Sequence, residues 1–131
     1  MSVQSLKPFQ DHVSNVLIRH RSLLDVMSKF GQTNAAVNRA VTKAITECGC
    51  IEVEAGKQPY DQELTPAQIR ELADTHVKGD LCETCMESVV KELGRNLFYM
   101  SALGNLLRVD LDDVLAHETR KMQTLGFFNL S

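Results

Sequence analysis

The sequence predicts an all-α protein, a bundle of four main helices with a short helix between the second and the third. Apolar residues recur at steps of three and four in four segments, which is the period of a helix, and no stretch alternates convincingly with the period of a strand. Helix-capping residues stand at the boundaries of these segments. The 131 residues fit one domain spanning 1–131, with an aliphatic core, because the chain has 5 Phe, 2 Tyr and no Trp.

The first two helices are predicted over residues 8–55. Pro8 suits the first turn of a helix, and Gly31 is typical of a helix end, so the first helix is expected between them. Thr33 or Asn34 would cap the second helix. That helix is expected to run to about Ala55 and to stop at the glycine that follows.

The remaining helices are predicted from their caps. Thr65 and Gln68 match the spacing of a capping box and indicate a short helix to about residue 73. Asp80 is expected to cap the third main helix. Asp110 is expected to cap the fourth, which would end at Gly126.

Charge and hydropathy exclude several classes of protein. The net charge of −3 and the pI near 5.8 argue against a nucleic-acid partner, which usually requires a basic surface. No apolar run approaches the roughly 20 residues of a membrane span, and residues 1–10 lack the apolar segment of a signal peptide. We therefore expect a cytoplasmic protein, in which cysteines are more often thiols or metal ligands than disulfides.

Three segments carry a resemblance to a known family. Segment 91–99, with its Glu-Leu-Gly-Arg core, and the acidic segment 109–114 resemble the second half of a MazG-like nucleotide pyrophosphohydrolase domain. Segment 44–51 resembles the Glu-Glu-x-Gly-Glu-Leu segment of the same family. The similarity covers about residues 34–121. It implies a four-helix bundle of the all-α NTP pyrophosphatase type that forms dimers.

The resemblance also implies a chemistry. The family holds Mg²⁺ with four carboxylates, one pair on each of two facing helices, and cleaves a nucleoside triphosphate to the monophosphate and pyrophosphate. Glu47 and Glu92 match the first and third carboxylates and would be catalytic. Cys50 and Arg95 stand in the places of the second and the fourth. A thiolate is a poor ligand for Mg²⁺, and arginine cannot bind a cation, so activity itself is in question.

Neighbouring residues could complete the implied site. Glu54 lies one turn beyond Cys50 and could supply a metal ligand, and Asn96 lies next to the position of the missing aspartate. Arg120 or Lys121 corresponds to the basic residue that follows the acidic segment and would contact the nucleotide. None of these residues stands at the family spacing for a metal ligand.

The four cysteines form two close pairs, Cys48-Gly49-Cys50 and Cys82-x-x-Cys85. Cys82 and Cys85 share one face of a helix start and could bind Zn²⁺ or iron. Residues two apart on a regular helix point in nearly opposite directions, so Cys48 and Cys50 can share an ion only if Gly49 breaks the helix. Three interpretations stay open: small buried thiols, a metal site, and a disulfide or redox pair. Four-cysteine coordination also conflicts with the family register, which places Cys50 level with Glu92.

Three functions follow from these patterns. The first is a divergent MazG-like nucleotide pyrophosphohydrolase that uses Mg²⁺. The alternative is a non-catalytic regulatory protein that binds a nucleotide, or a metal through its cysteine pairs. The third is a structural helical oligomer. The apolar tail 127–130 needs a cover, and together with the resemblance it predicts a homodimer or a dimer of dimers.

Overall fold

The computed structural model describes residues 5–19 and 21–126. Its helices are α1 (Lys7–Val16), α2 (Leu23–Lys43), α3 (Pro66–Leu72), α4 (Glu83–Leu107) and α5 (Leu111–Leu125), and a π-helical turn (Ala44–Cys48) extends α2. Two short strands, β1 (Ile51–Val53) and β2 (Val77–Gly79), pair antiparallel. The prediction of a mostly helical chain is confirmed. Within the described ranges, none of the helices combines the length and the apolar character that a membrane crossing requires.

The two longest helices, α2 and α4, pack against each other and run antiparallel. Midway along α2, Asn34 accepts a 2.6 Å hydrogen bond from the Asn96 amide of α4. Beyond the end of α2, the sulfur of Cys48 lies 3.8 Å from the sulfur of Cys82 at the start of α4. Residue numbers therefore rise along one helix as they fall along the other.

The prediction of one helix from Pro8 to Gly31 is wrong. The chain leaves the helix at Leu17, where the backbone is extended, and enters α2 after Ser22. Gly31 lies inside α2, and Thr33 is no cap, because it is buried and its hydroxyl donates to the Phe30 carbonyl. Packing of one face of α2 against α4 offsets the cost of about 1 kcal/mol that a helical glycine carries.

The second predicted helix also ends earlier than expected. It was predicted to reach Ala55, but the π-helical turn stops at Cys48, and Gly49 adopts a left-handed conformation with φ 78°. The next residues form β1, in which Ile51 pairs with Gly79 of β2. The hydrogen bonds of this segment are made to a strand 26 residues away, which a local pattern does not show.

Of the three caps predicted after the second helix, two are confirmed and one is wrong. Thr65 and Gln68 form the capping box of α3. The Asp110 carboxylate accepts the backbone N–H of Asp112 at the start of α5. Asp80 does not cap α4, since the residue in that position is Cys82, whose sulfur accepts a backbone N–H.

The core lies where α1, α2 and α4 meet. Val13, Val26 and Ala102 are buried there, one from each helix, and three partly buried side chains surround them: Leu17, Phe98 and Leu103. The last helix, α5, contacts α1 and α4 at its first residues, where Leu111 lies beside Gly104, and the described part of the chain shows no extensive packing of α5 on the other helices. Among the described residues, three helices thus pack around one core, and the predicted four-helix bundle is not confirmed. The predicted apolar tail 127–130 lies outside the described residues.

Candidate metal centre

The four cysteines of the chain converge at the end of α2 and the start of α4. The sulfur atoms of Cys48, Cys50, Cys82 and Cys85 all lie within 4.8 Å of one another. None of them forms a disulfide; Cys48 is exposed and the other three are half-buried. They form a group that could hold a metal ion.

The first cysteine pair converges because the helix ends between its members. In the π-helical turn, the backbone N–H of Gly49 donates to the Ala44 carbonyl at 2.8 Å. The left-handed conformation of Gly49 then reverses the chain, so Cys48 and Cys50 no longer stand on opposite faces of a helix. The helix break at Gly49, which Cys48 and Cys50 need in order to share an ion, is therefore present.

The second cysteine pair occupies the first turn of α4. Cys82 is the N-cap residue, and its sulfur accepts the backbone N–H of Cys85 at 3.4 Å. The two side chains share one face of the turn, as the x-x spacing predicts. A helix N-terminus also favours negative charge, and hence thiolates.

The two strands align the cysteine pairs. β1 begins directly after Cys50, and β2 ends three residues before Cys82. Gly79 sits at the closest approach with φ 86°, and a Cβ there would lie 2.6 Å from the Cys50 carbonyl oxygen. Because a side chain would collide with backbone, only glycine allows the strands to approach this closely.

The spacing of the sulfurs fits one tetrahedral ion. Zn–S bonds of about 2.3 Å place neighbouring sulfurs of a tetrahedron about 3.8 Å apart. The Cys48 and Cys82 sulfurs are separated by 3.8 Å, and the group as a whole by at most 4.8 Å. The four sulfurs lie close enough together to share a single ion, which suits one ion better than an iron–sulfur cluster with ligands divided among several metals.

The electrostatics of the group favour a cation. The backbone N–H of Cys85 that bonds to the Cys82 sulfur lowers the pKa of Cys82 to about 7. The interaction with that sulfur, together with burial, raises the pKa of Cys85 to about 12. One thiol of the group therefore ionises readily, whereas each further thiolate would be repelled by the first. A bound divalent cation removes this repulsion and deprotonates its thiol ligands.

The carboxylates implied by the MazG-like resemblance do not join this group. Glu47 precedes the first cysteine and is exposed. Glu92 lies seven residues beyond Cys85, which is roughly 10 Å along α4. Its carboxylate accepts a hydrogen bond of 3.3 Å from Arg95. Cys50 lies with the other thiols and the Arg95 guanidinium is paired with Glu92, so the structure gives no support to a Mg²⁺ site at these residues.

The other candidate residues lie apart or have partners. Asn96 donates to Asn34 and to Thr33, so its amide is occupied between α2 and α4. Glu54 is exposed just after β1. Arg120 and Lys121 lie on α5, where Lys121 is 4.0 Å from Glu118.

Sequence reasoning left Cys48 out of the proposed ligands. It was set aside because an unbroken helix would have pointed it away from Cys50. Gly49 between two cysteines was the available indication of a break. His76, the histidine nearest to the second pair, accepts the backbone N–H of Gly56 through Nε2 at 3.3 Å and is not a member of the group.

Comparisons of the chain with protein-family models, with curated proteins and with solved structures returned no match.

Proposed function

We propose that this protein binds one Zn²⁺ ion through Cys48, Cys50, Cys82 and Cys85, and that the ion has a structural role. The observation that carries this proposal is the convergence of all four sulfurs to within 4.8 Å of one another. Two separate backbone devices produce it, the helix break at Gly49 and the N-cap at Cys82. Small thiols that only fill space in a core would require neither the helix break nor the cysteine N-cap.

The ligand set favours a structural ion over a catalytic one. Catalytic zinc keeps a coordination position for water or substrate, whereas structural zinc is closed by four protein ligands. Four thiolates supplied by this chain fill a tetrahedron. Zn²⁺ is preferred to iron because it needs no redox partner, although four thiolates suit both metals.

The ion would hold in place the segment of the chain between the two cysteine pairs, residues 51–81. This segment carries β1, α3 and β2, and few apolar side chains are buried in it. Its ends are held by the strand pair and by reciprocal hydrogen bonds between Gln58 and the backbone of Asp74, of 2.6 and 3.0 Å. A metal ion joining the two ends of this segment would hold it against the helices. We infer that the protein is a non-catalytic, metal-dependent binding or regulatory protein.

The test is a metal analysis of the purified protein. We expect about one zinc per chain, with an X-ray absorption spectrum showing four sulfur ligands near ~2.3 Å. Cys85→Ser should lower the zinc content to well below one per chain. Thr84→Ser, which changes the exposed neighbour between the two cysteines, should keep it at one.

Two results would contradict the proposal. One is a chain that stays metal-free after anaerobic refolding with Zn²⁺ and whose four thiols all react freely. The other is a non-reducing mass lower by about 2 Da, which reports a disulfide. Iron at full occupancy would keep the site and change the metal.

The MazG-like hypothesis makes a competing prediction. Glu47 and Glu92 lie on the two helices that pack together, which is the element in its favour. The positive charge of Arg95 beside Glu92 opposes a divalent cation there. We therefore expect no Mg²⁺-dependent pyrophosphate release from nucleoside triphosphates above the level of the Glu92→Gln variant. Turnover by the wild type that Glu92→Gln abolishes would establish the enzyme instead.

A further inference from the structure

The helix α4 carries an apolar stripe that the described residues leave mostly exposed. From Met86 to Met100 its residues recur at intervals of four and three, the spacing of a coiled-coil seam, and Leu107 follows seven residues later. They are Met86, Val90, Leu93, Leu97, Met100 and Leu107. Val90 and Leu93 are 58% and 51% exposed, and Leu97 is the half-buried member. Such a run of exposed apolar side chains marks an interaction surface.

This stripe is a different face of α4 from the one packed on α2. Asn96 reaches α2 through its hydrogen bonds, and Cys85 faces the end of α2 through the cysteine group. Residues 85, 92 and 96 lie about a quarter turn away from 86, 90 and 93 at 100° per residue. The stripe is therefore a second apolar face of α4, in addition to the one that forms the core.

The helix α5 also carries apolar side chains that are exposed. It is attached at its start, where Gln10 accepts the N–H of Leu111 and Asp112 bonds to Leu6. Beyond that point, among the described residues, it presents Leu115, Met122 and Leu125, which are all exposed. A helix of 15 residues is marginal on its own in water. It needs an apolar surface to pack against.

The total surface area shows how much is uncovered. A compact monomer of 14.6 kDa exposes roughly 6,900 Å². This chain exposes 10069 Å². The excess of about 3,000 Å² is spread over the chain, including the exposed segment 52–80, and is large enough to contain the ~800 Å² per partner that a stable interface buries.

We infer that a second copy of this chain covers both surfaces. The α5 helix of each copy packs on the α4 stripe of the other, which supplies the fourth helix that the bundle of a single chain lacks. One exchange implies the reciprocal one, so the contact is symmetric and closes as a dimer. The inference rests on α4 and α5 alone and is independent of the metal.

The test measures the mass of the full chain in solution by sedimentation and light scattering. We expect about 29 kDa at micromolar concentration, twice the 14.6 kDa of one chain. The double variant Val90→Glu, Leu93→Glu should weaken the dimer by roughly 100-fold or more, because it places charge in an apolar contact. Ser88→Glu introduces the same residue on the other side of α4, where it is exposed, and should leave the dimer intact.

A second pair of variants tests the contribution of α5. Met122→Glu should weaken the dimer, and Gln123→Glu, an isosteric change at the next exposed position, should not. The zinc content and helical circular dichroism of each variant report whether it is folded, and both should be unchanged. A wild type that contains no zinc would contradict the metal proposal, and the dimer proposal would be unaffected.

Three outcomes would overturn the inference. A wild type that is monomeric at 100 µM would leave these surfaces to another partner. A dimer that the Val90→Glu, Leu93→Glu variant does not weaken would use another face of the chain. A dimer indifferent to Met122→Glu would have no exchanged α5.

Discussion

Replacing Cys82 by serine should destabilise the protein more than any other single change considered for this chain. The variant removes one of four thiolate ligands, and loss of a structural metal belongs to the mechanisms that cost roughly 4–5 kcal/mol or more. For a domain of this size we expect a fall in Tm of more than about 10 °C. Serine is a better N-cap than cysteine, so the cap of α4 is retained and the loss reports the metal.

The location of the loss is as informative as its size. Hydrogen exchange should accelerate across residues 48–85, where strands and loops depend on the ion. It should change less in the part of α2 that packs on α4 by way of Asn34 and Asn96. Thr84→Ser is the control, and a zinc chelator added to the wild type should reproduce the pattern. Equal melting temperatures for Cys82→Ser and the wild type would show that no stabilising ion is bound.

Local patterns were sufficient to predict the helices with strong caps. The capping box at Thr65 and Gln68 and the cap at Asp110 depend on residues within one turn, so the sequence placed α3 and α5 nearly correctly. The same reasoning was wrong at Gly31. There the burial of α2 against α4 outweighs the local preference of glycine.

The strands could not be predicted in the same way. The apolar spacing through Ile45, Cys48 and Ile51 suits a continuous helix. Segment 51–53 becomes a strand only because 77–79 lies beside it, and a pairing across 26 residues leaves no local periodicity. The β-branched residues Ile51, Val53 and Val77 were the available indication.

The candidate site was predicted in its residue types but not in its geometry. The two cysteine pairs are visible in the sequence, and the x-x spacing correctly placed Cys82 and Cys85 on one face. Whether Cys48 and Cys50 could join them depended on the backbone at Gly49, which spacing does not determine. The position of α2 along the axis of α4 was equally undetermined. The sequence therefore could not decide whether Cys50 lies with Cys82 and Cys85 or opposite Glu92.

A second large effect is expected at Gln10, which joins α1 to the turn between α4 and α5. Its side chain is only 3% exposed. Nε2 donates to the Val109 carbonyl at 2.8 Å, and Oε1 accepts the N–H of Leu111 at 2.9 Å. The amide thus satisfies two backbone groups that no helix bond reaches, at the point where the chain leaves α4 and enters α5.

Gln10→Leu should therefore lower the free energy of unfolding by about 3 kcal/mol. Leucine has a similar volume but leaves the buried Leu111 N–H and the partly buried Val109 carbonyl unpaired, and an unpaired buried group costs about 1–3 kcal/mol. Denaturant unfolding measures the loss, with Gln32→Leu on the exposed side of α2 as the control for added apolar surface. The zinc content should stay at one per chain, because Gln10 is remote from the cysteines. If Gln10→Leu and Gln32→Leu unfold at the same denaturant concentration, the two hydrogen bonds do not hold α5 at the end of α4, and the anchor of that helix must lie elsewhere.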